Sequence, residues 1–335
     1  MTLLFDKDRP IKSPALAPAQ DAFERAGAAE LTIGLVNNMP DSALKATERQ
    51  FMRLVQSAAG KTRIRFHCLA LPTVVRSKPA RDYIEKEYVD IAELGRLHID
   101  GLIVTGAEPL ATTLPQEPYW REFIDLVEWA RTNTRSTIWS CLAAHAAVLH
   151  LDGIKRRQLP QKRSGVYDCA RTGDDWLTND LPPSFKVSHS RLNEVRESDL
   201  IAHGYQLLTH SEQAGVDSFS RNEASRFIFF QGHPEYDALC LQREYMRDIA
   251  RFLAGERSAY PAIPVAYFDA ATEQVLAAFE ARARAHRRPE LAAELPGLTL
   301  RPGVPAGGAA TTLFRNWLDF LGHEARTLPP ETVRK

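Results

Sequence analysis

Cysteine is scarce: four thiols, Cys68, Cys141, Cys169 and Cys240, are spread over 335 residues. No CxxC pair occurs, so neither a zinc-ribbon spacing nor a disulfide framework can be assembled, and the pattern suits a reducing compartment. Net charge is missing as well. Lysine plus arginine and aspartate plus glutamate both number 42, a formal charge of zero. No global field exists to hold nucleic acid or an anionic membrane. One local basic cluster, Arg282, Arg284, His286, Arg287 and Arg288, reads as a solvated helix end. No apolar run approaches the ~20 residues of a membrane span. The opening residues MTLLFDKDRPIKSPALAPAQ lack the apolar core and cleavage pattern of a secretory leader. A cytoplasmic protein acting on small molecules is expected, with no metal and no internal repeat.

What is present is an alternation. LTIGLVNNM (31–39), RIRFHCLAL (63–71), GLIVTGA (101–107) and STIW (136–139) read as strands, and each is followed by a helical run. The second of those runs, RDYIEKEYVDIAEL, reads as one charged helix. Four such units before residue 150 predict an α/β fold: a parallel sheet flanked by helices, with active groups at the carboxyl ends of its strands. Three polar loops fall at those ends: Asn37–Asp41, Thr105–Leu110 and Cys141. After Gly153 the chain becomes β-like, and RFIFFQG closes that stretch. Helices are expected at 239–255, near 270–286 and at the C-terminus after a flexible GVPAGGAATT (303–312). The expected division is an N-terminal arm (1–30), a catalytic α/β domain (31–257) and a C-terminal extension packing on it (258–335).

Cys141 stands where the buried strand ends and the Ala-rich run LAAHAAVLHL begins. A side chain at such a corner is pushed out at the end of the sheet, beside a helix N-terminus that favours anions. A cysteine nucleophile needs a base, and the base an orienting partner. His233 in QGHPEYD follows a strand directly, and Glu235 lies two residues on, with the intervening proline stiffening the turn. His145, one turn below Cys141, is the competitor; His189 and His210 are weaker candidates. Arg247, on the helix after the His/Glu turn, offers a fork for a substrate carboxylate. Lys162 and Ser190 sit in polar strands or loops and could line the same crevice, though spacing alone makes each, like Arg247, more often a surface residue. The rival readings are a buried structural cysteine and a surface loop histidine.

The motifs VNNMP, GLIVTGA-x-P, YW-x-x-F-x-x-x-x-EW, STIWSC, SGVYD, SHSR, GHPEYD and LFRNWLDF resemble those of homoserine O-acyltransferases of the O-succinyltransferase type. The resemblance runs from about residue 31 to the final helix. It implies a class I glutamine-amidotransferase-like, flavodoxin-like fold, and a homodimer. It implies Cys141 as acyl-accepting nucleophile, His233 as base and Glu235 as its partner. Lys162, Ser190 and Arg247 match the family's substrate-binding positions. The resemblance implies acyl-CoA as co-substrate, no bound cofactor, and a place in methionine biosynthesis. The chain departs from the family pattern at Leu142 and His145, where tryptophan and glutamine are usual, and in a longer insert after NNMP. Backbone N–H groups near Leu142 and in the Gly106-Ala107 loop are expected to hold the oxyanion. The family's donor-selecting position falls on Leu110 or, one residue shifted, Ala111. Succinyl-CoA is favoured, with acetyl-CoA open. Another acceptor such as serine, an amidohydrolase on the same elbow, and a non-catalytic binding protein are the alternatives.

Overall fold

The computed structural model describes residues 3–4, 30–305 and 307–327. Most of the expected N-terminal arm lies outside these. The first half contains β1 (Leu3–Leu4), β2 (Glu30–Val36), α1 (Asp41–Ala58), β3 (Arg63–Leu69), α2 (Lys78–Glu87), β4 (Gly101–Thr105), α3 (Trp120–Asn133), β5 (Ser136–Ser140) and α4 (Leu142–Asp152). Then come β6 (Arg157–Arg171), β7 (Phe185–Glu194), α5 (Glu197–Ala202), β8 (Gln206–Ser211), β9 (Gly215–Asn222), β10 (Arg226–Phe230), α6 (Cys240–Leu253), α7 (Ala270–Ala285) and α8 (Ala309–Thr327).

These strands form one ten-stranded sheet in the order β1-β3-β2-β4-β5-β10-β9-β8-β6-β7. From β1 through β10 every neighbouring pair is parallel. Taken in chain order, β2, β3, β4, β5 and β10 are strands one to five in the spatial order 2-1-3-4-5, which is the flavodoxin-like arrangement. The sheet is not wholly parallel, as the α/β alternation alone suggests. β9, β8, β6 and β7 extend it with antiparallel pairs. The reason is local: between α4 and β10 only a three-residue 3₁₀ turn, Trp176–Thr178, and the six-residue α5 interrupt the strands, too little for the parallel crossovers that need a dozen or more residues.

The central strands β4 and β5 are buried at every residue, as a parallel strand covered on both faces must be. On one face lie α1 and α8, with Phe51, Phe314 and Trp317 in a single buried cluster with Leu31, Ile33 and Ile103. On the other lie α3 and α4, whose Phe123, Ala144 and Val148 meet Trp139, Phe227 and Phe229. A third cluster joins α6 and α7 through Tyr245, Ile249, Phe252, Leu276 and Phe279.

Two helical expectations change. The charged helix ends at Glu87, because Tyr88 turns extended and sends its hydroxyl between Asn37 and Glu48, while the Val89 N–H donates to the Cys68 carbonyl. A separate short 3₁₀ turn, capped by Asp90, follows. The final helix begins at Ala309, so the last residues of the expected 303–312 loop are already helical.

Candidate active site

The carboxyl end of β5 leads into Cys141, whose backbone is left-handed, with φ 53° and ψ −110°. A non-glycine residue there is strained, and such strain is held only where surrounding contacts impose it. Here the Cys141 N–H donates to the Phe230 carbonyl of β10 at 2.7 Å, and its own carbonyl accepts from the His145 N–H at 3.3 Å. Strand and helix thus clamp the corner from both sides. Cys141 is partly exposed, while Cys68, Cys169 and Cys240 are buried. Burial pushes all three of these up, with nearby carboxylates adding to the shift: Glu48 at Cys68, Asp217 first at Cys169 and Asp237 at Cys240.

The Gly106 loop comes against this corner. A Cβ on Gly106 would stand 2.4 Å from the Leu142 Cβ and 3.1 Å from the Ala143 nitrogen. Only glycine lets the β4 loop lie beside the first turn of α4, whose leading N–H groups have no intrahelical acceptor. Ala107 is buried beneath it. The loop then passes Leu110, which is 68% exposed, and the half-buried Ala111. Their N–H groups both donate to one oxygen of the buried Glu117, at 2.9 and 2.8 Å.

β10 ends in Gln231-Gly232-His233. His233 is buried, its N–H donates to the Ser188 carbonyl at 2.8 Å, and its Nδ1 lies 2.8 Å from Glu235 Oε1. Burial alone would lower the imidazole pKa. The Glu235 charge and the Cys141 sulfur override it, and the result is raised well above the usual histidine range. The turn is backed by a buried pair, His189 Nε2 and Asp217 Oδ1, 3.2 Å apart. A Cβ on Gly232 would stand 2.2 Å from that same Asp217 oxygen, so glycine is required here too. Cys169 completes a buried trio with this pair, and burial holds His189 below its ordinary pKa despite Asp217.

His145, the competing base, faces away from this work. Its Nε2 lies 3.0 Å from Gln231 Oε1, an oxygen that also accepts from the Val195 N–H. Burial, with Arg191 and Arg156 adding to it, pushes its pKa down to about 3, so the ring is a neutral brace between α4 and β10. His210 lies 3.3 Å from Glu197 and is partly exposed.

Lys162, Ser190 and Arg247 are gathered around two carboxylates of α6. Lys162 Nζ lies 3.3 Å from Glu244 and 3.1 Å from Asp248. The Ser190 hydroxyl donates to Glu244, and Arg247 lies 3.2 Å from Asp248. Burial would raise both acids, yet the cations hold each below its ordinary pKa, Lys162 first. Tyr236 connects the two halves: its ring stacks on His233 at 4.1 Å, and its hydroxyl donates to Glu244 at 2.5 Å. Glu117, Tyr236 and Glu244 are absent from the sequence reading of the site. Glu244 precedes Arg247 by three residues, on the same helix face, which is the signal that points to it. Nothing in the spacing singles out Glu117.

The site brings together groups that covalent acyl chemistry could use: a thiol on a strained corner, an imidazole with a carboxylate behind it and, joined through Tyr236, a cluster carrying both signs of charge. The family model described as homoserine O-succinyltransferase matches residues 15–327. A homoserine O-succinyltransferase of Bradyrhizobium japonicum is 61% identical over 96% of this chain and 99% of its own. One from Rhodopseudomonas palustris is 58% identical over 97% and 100%. A solved glutamine amidotransferase of Thermotoga maritima overlays with a TM-score of 0.47 at 12% identity, covering 89% of this chain and 99% of that one. With its family's model matched over nearly its whole length and identity above one half to full-length members, the chain belongs to the homoserine O-succinyltransferase family.

Proposed function

We propose that this enzyme transfers a succinyl group from succinyl-CoA to the hydroxyl of L-homoserine through an acyl-Cys141 intermediate. The observation that carries the reading is the strained, partly exposed Cys141 beside the buried His233–Glu235 pair. His233 takes the thiol proton. The sulfur attacks the thioester carbonyl, and the oxyanion is met by N–H groups of the first α4 turn and the Gly106 loop. The carbon–sulfur bond to CoA breaks, and His233 returns the proton to the departing thiolate. The acceptor hydroxyl then gives its proton to His233 and attacks the acyl-cysteine, which releases the ester and restores the thiol. Two half-reactions on one nucleophile give ping-pong kinetics. Both transfers exchange one activated acyl bond for another, so the protein's contribution is positioning and exclusion of water.

The mixed charge of the cluster linked through Tyr236 suits an amino-acid acceptor: Arg247 would meet a carboxylate, and Glu244 with Asp248 an ammonium group. The product is an activated ester of homoserine, suited to displacement by sulfur nucleophiles, which fits a role in methionine biosynthesis. Leu110 is turned to solvent and Ala111, the alternative donor-selecting position, is small, which supports the larger succinyl group.

The test is CoA release with succinyl-CoA or acetyl-CoA, each with L-homoserine, L-serine, L-glutamine or no acceptor, beside Cys141→Ala. Homoserine-dependent release from succinyl-CoA, abolished in the variant, is expected. Release of ammonia from glutamine without any acyl-CoA would overturn the reading.

A further inference from the structure

A second cleft opens where α4 ends. Its volume is about 430 Å³, in the range of small-ligand sites. Lys155, Arg156, Arg157, Arg196 and His203 line it, against the single carboxylate of Asp199. Not all basic clusters on this molecule are alike. In the Arg282–Arg288 stretch, Arg282 and Arg288 pair with Glu294, Arg284 pairs with Glu280, and Arg287 donates to the carbonyls of Phe252 and Arg257. In the cleft, Arg157 is held by Glu194, but Lys155, Arg156 and Arg196 form no ion pair with any described residue.

Arg156 is the informative member. It is half-buried, and burial is the main cause that lowers its pKa. The groups acting on it electrostatically in the other direction are Tyr119, Glu117 and Cys141. The same guanidinium therefore lines the cleft and lies within electrostatic reach of the nucleophile. A partly desolvated cation whose opposing charges act only at a distance, with no ion pair of its own among the described residues, is unfavourable by itself, and an anion bound beside it offsets that cost. Guanidinium forks match phosphate oxygens in pairs, which a lysine-only patch does not.

We infer that this cleft receives the phosphate-bearing end of the acyl donor, with the nucleotide phosphates on Lys155, Arg156 and Arg196 and the pantetheine arm running past Arg156 to Cys141. The inference rests on the donor being an acyl-CoA, as proposed above. A free polyphosphate shares the recognition chemistry, so the experiment separates the two sources.

Lys155 and Arg196 are exposed, and their replacement leaves the core untouched. The test compares kcat/KM for succinyl-CoA with that for succinyl-pantetheine, which carries the same thioester and no phosphate, in the wild type and in Lys155→Ala/Arg196→Ala. The ratio of the two is expected to fall about tenfold or more in the variant, the size of a lost charge-assisted contact. An unaltered ratio overturns the inference. Calorimetry provides a readout without turnover: 3′-phosphoadenosine 5′-diphosphate should bind the wild type and bind the double variant about tenfold or more weakly. If inorganic pyrophosphate binds as tightly as this nucleotide, the donor assignment is overturned in favour of a polyphosphate site. A wild type that binds the nucleotide but transfers no acyl group from any CoA ester would strike the proposed function and leave the cleft's ligand class standing.

Discussion

At the scale of single residues, the His233–Glu235 contact is the point where structure and chemistry meet. Glu235 is the leading cause holding the imidazole's pKa above its usual range against burial. Glu235→Gln keeps the shape and removes the charge. The folded-state pKa of His233 should drop towards its unfolded value, and kcat/KM should fall about 10²-fold, as for a misdirected general base. The stability consequence has a definite sign. A raised folded-state pKa stabilises the protonated protein fully below the unfolded pKa, about 6.5. That contribution is lost as pH rises through the folded-state value. Urea midpoints of wild type and variant should therefore differ most below about pH 6.5 and converge as pH increases. Parallel curves across that range would show that Glu235 does not govern the titration of His233. Glu244 permits a second residue-scale test. It accepts from Ser190 and Tyr236 and pairs with Lys162, so Glu244→Gln should raise KM for the amino-acid acceptor about tenfold or more. The donor half-reaction, read as CoA burst amplitude, should change less. A variant that loses the burst instead would place Glu244 on the donor side.

At the scale of elements, the site depends on two backbones lying closer than a side chain allows. Gly106→Ala would set a methyl group 2.4 Å from the Leu142 Cβ and force the β4 loop off the first turn of α4. Loss of one oxyanion donor costs about 10²-fold in kcat, so kcat should fall by about that much while KM for homoserine moves little. A matching loss in homoserine affinity would mean that the displacement spreads through the whole crevice. This element-level arrangement also shows what the sequence could reveal. The β5–Cys141–α4 corner was legible because a β-branched and aromatic run gives way to alanines with a single cysteine between. The parallel strands were legible because they are continuous apolar runs. The early end of α2 was not, because Tyr88 leaves the helix for partners 40 and 51 positions away in sequence. Glu117 was not legible either. A carboxylate in a polar loop looks solvated until the fold brings the Leu110 and Ala111 N–H groups to it. Charged residues that brace backbone from another loop leave no periodic trace, whereas core-facing residues do.

At the scale of the whole molecule, the question is whether the C-terminal extension is an attachment or part of the core. Trp317 on α8 is fully buried, and its indole N–H donates to the Ser136 hydroxyl at 3.0 Å, at the start of the strand that delivers Cys141. Gly101, at the start of β4, lies so close to this helix that a Cβ there would stand 2.6 Å from the Trp317 ring. Leu313, Phe314, Leu318 and Leu321 belong to the same buried cluster as α1 and β2. Removing the indole should therefore destabilise the sheet itself. Trp317→Ala is expected to cost about 3–5 kcal/mol through the cavity left and the lost hydrogen bond. Unfolding should remain one cooperative transition, shifted to lower denaturant, with far-UV signal and acyl transfer lost together. An extension that merely rests on the surface would behave differently, melting in a separate early step while transfer activity persisted. A coincident loss would mean that the helix farthest along the chain from Cys141 helps to hold the strand from which that thiol projects.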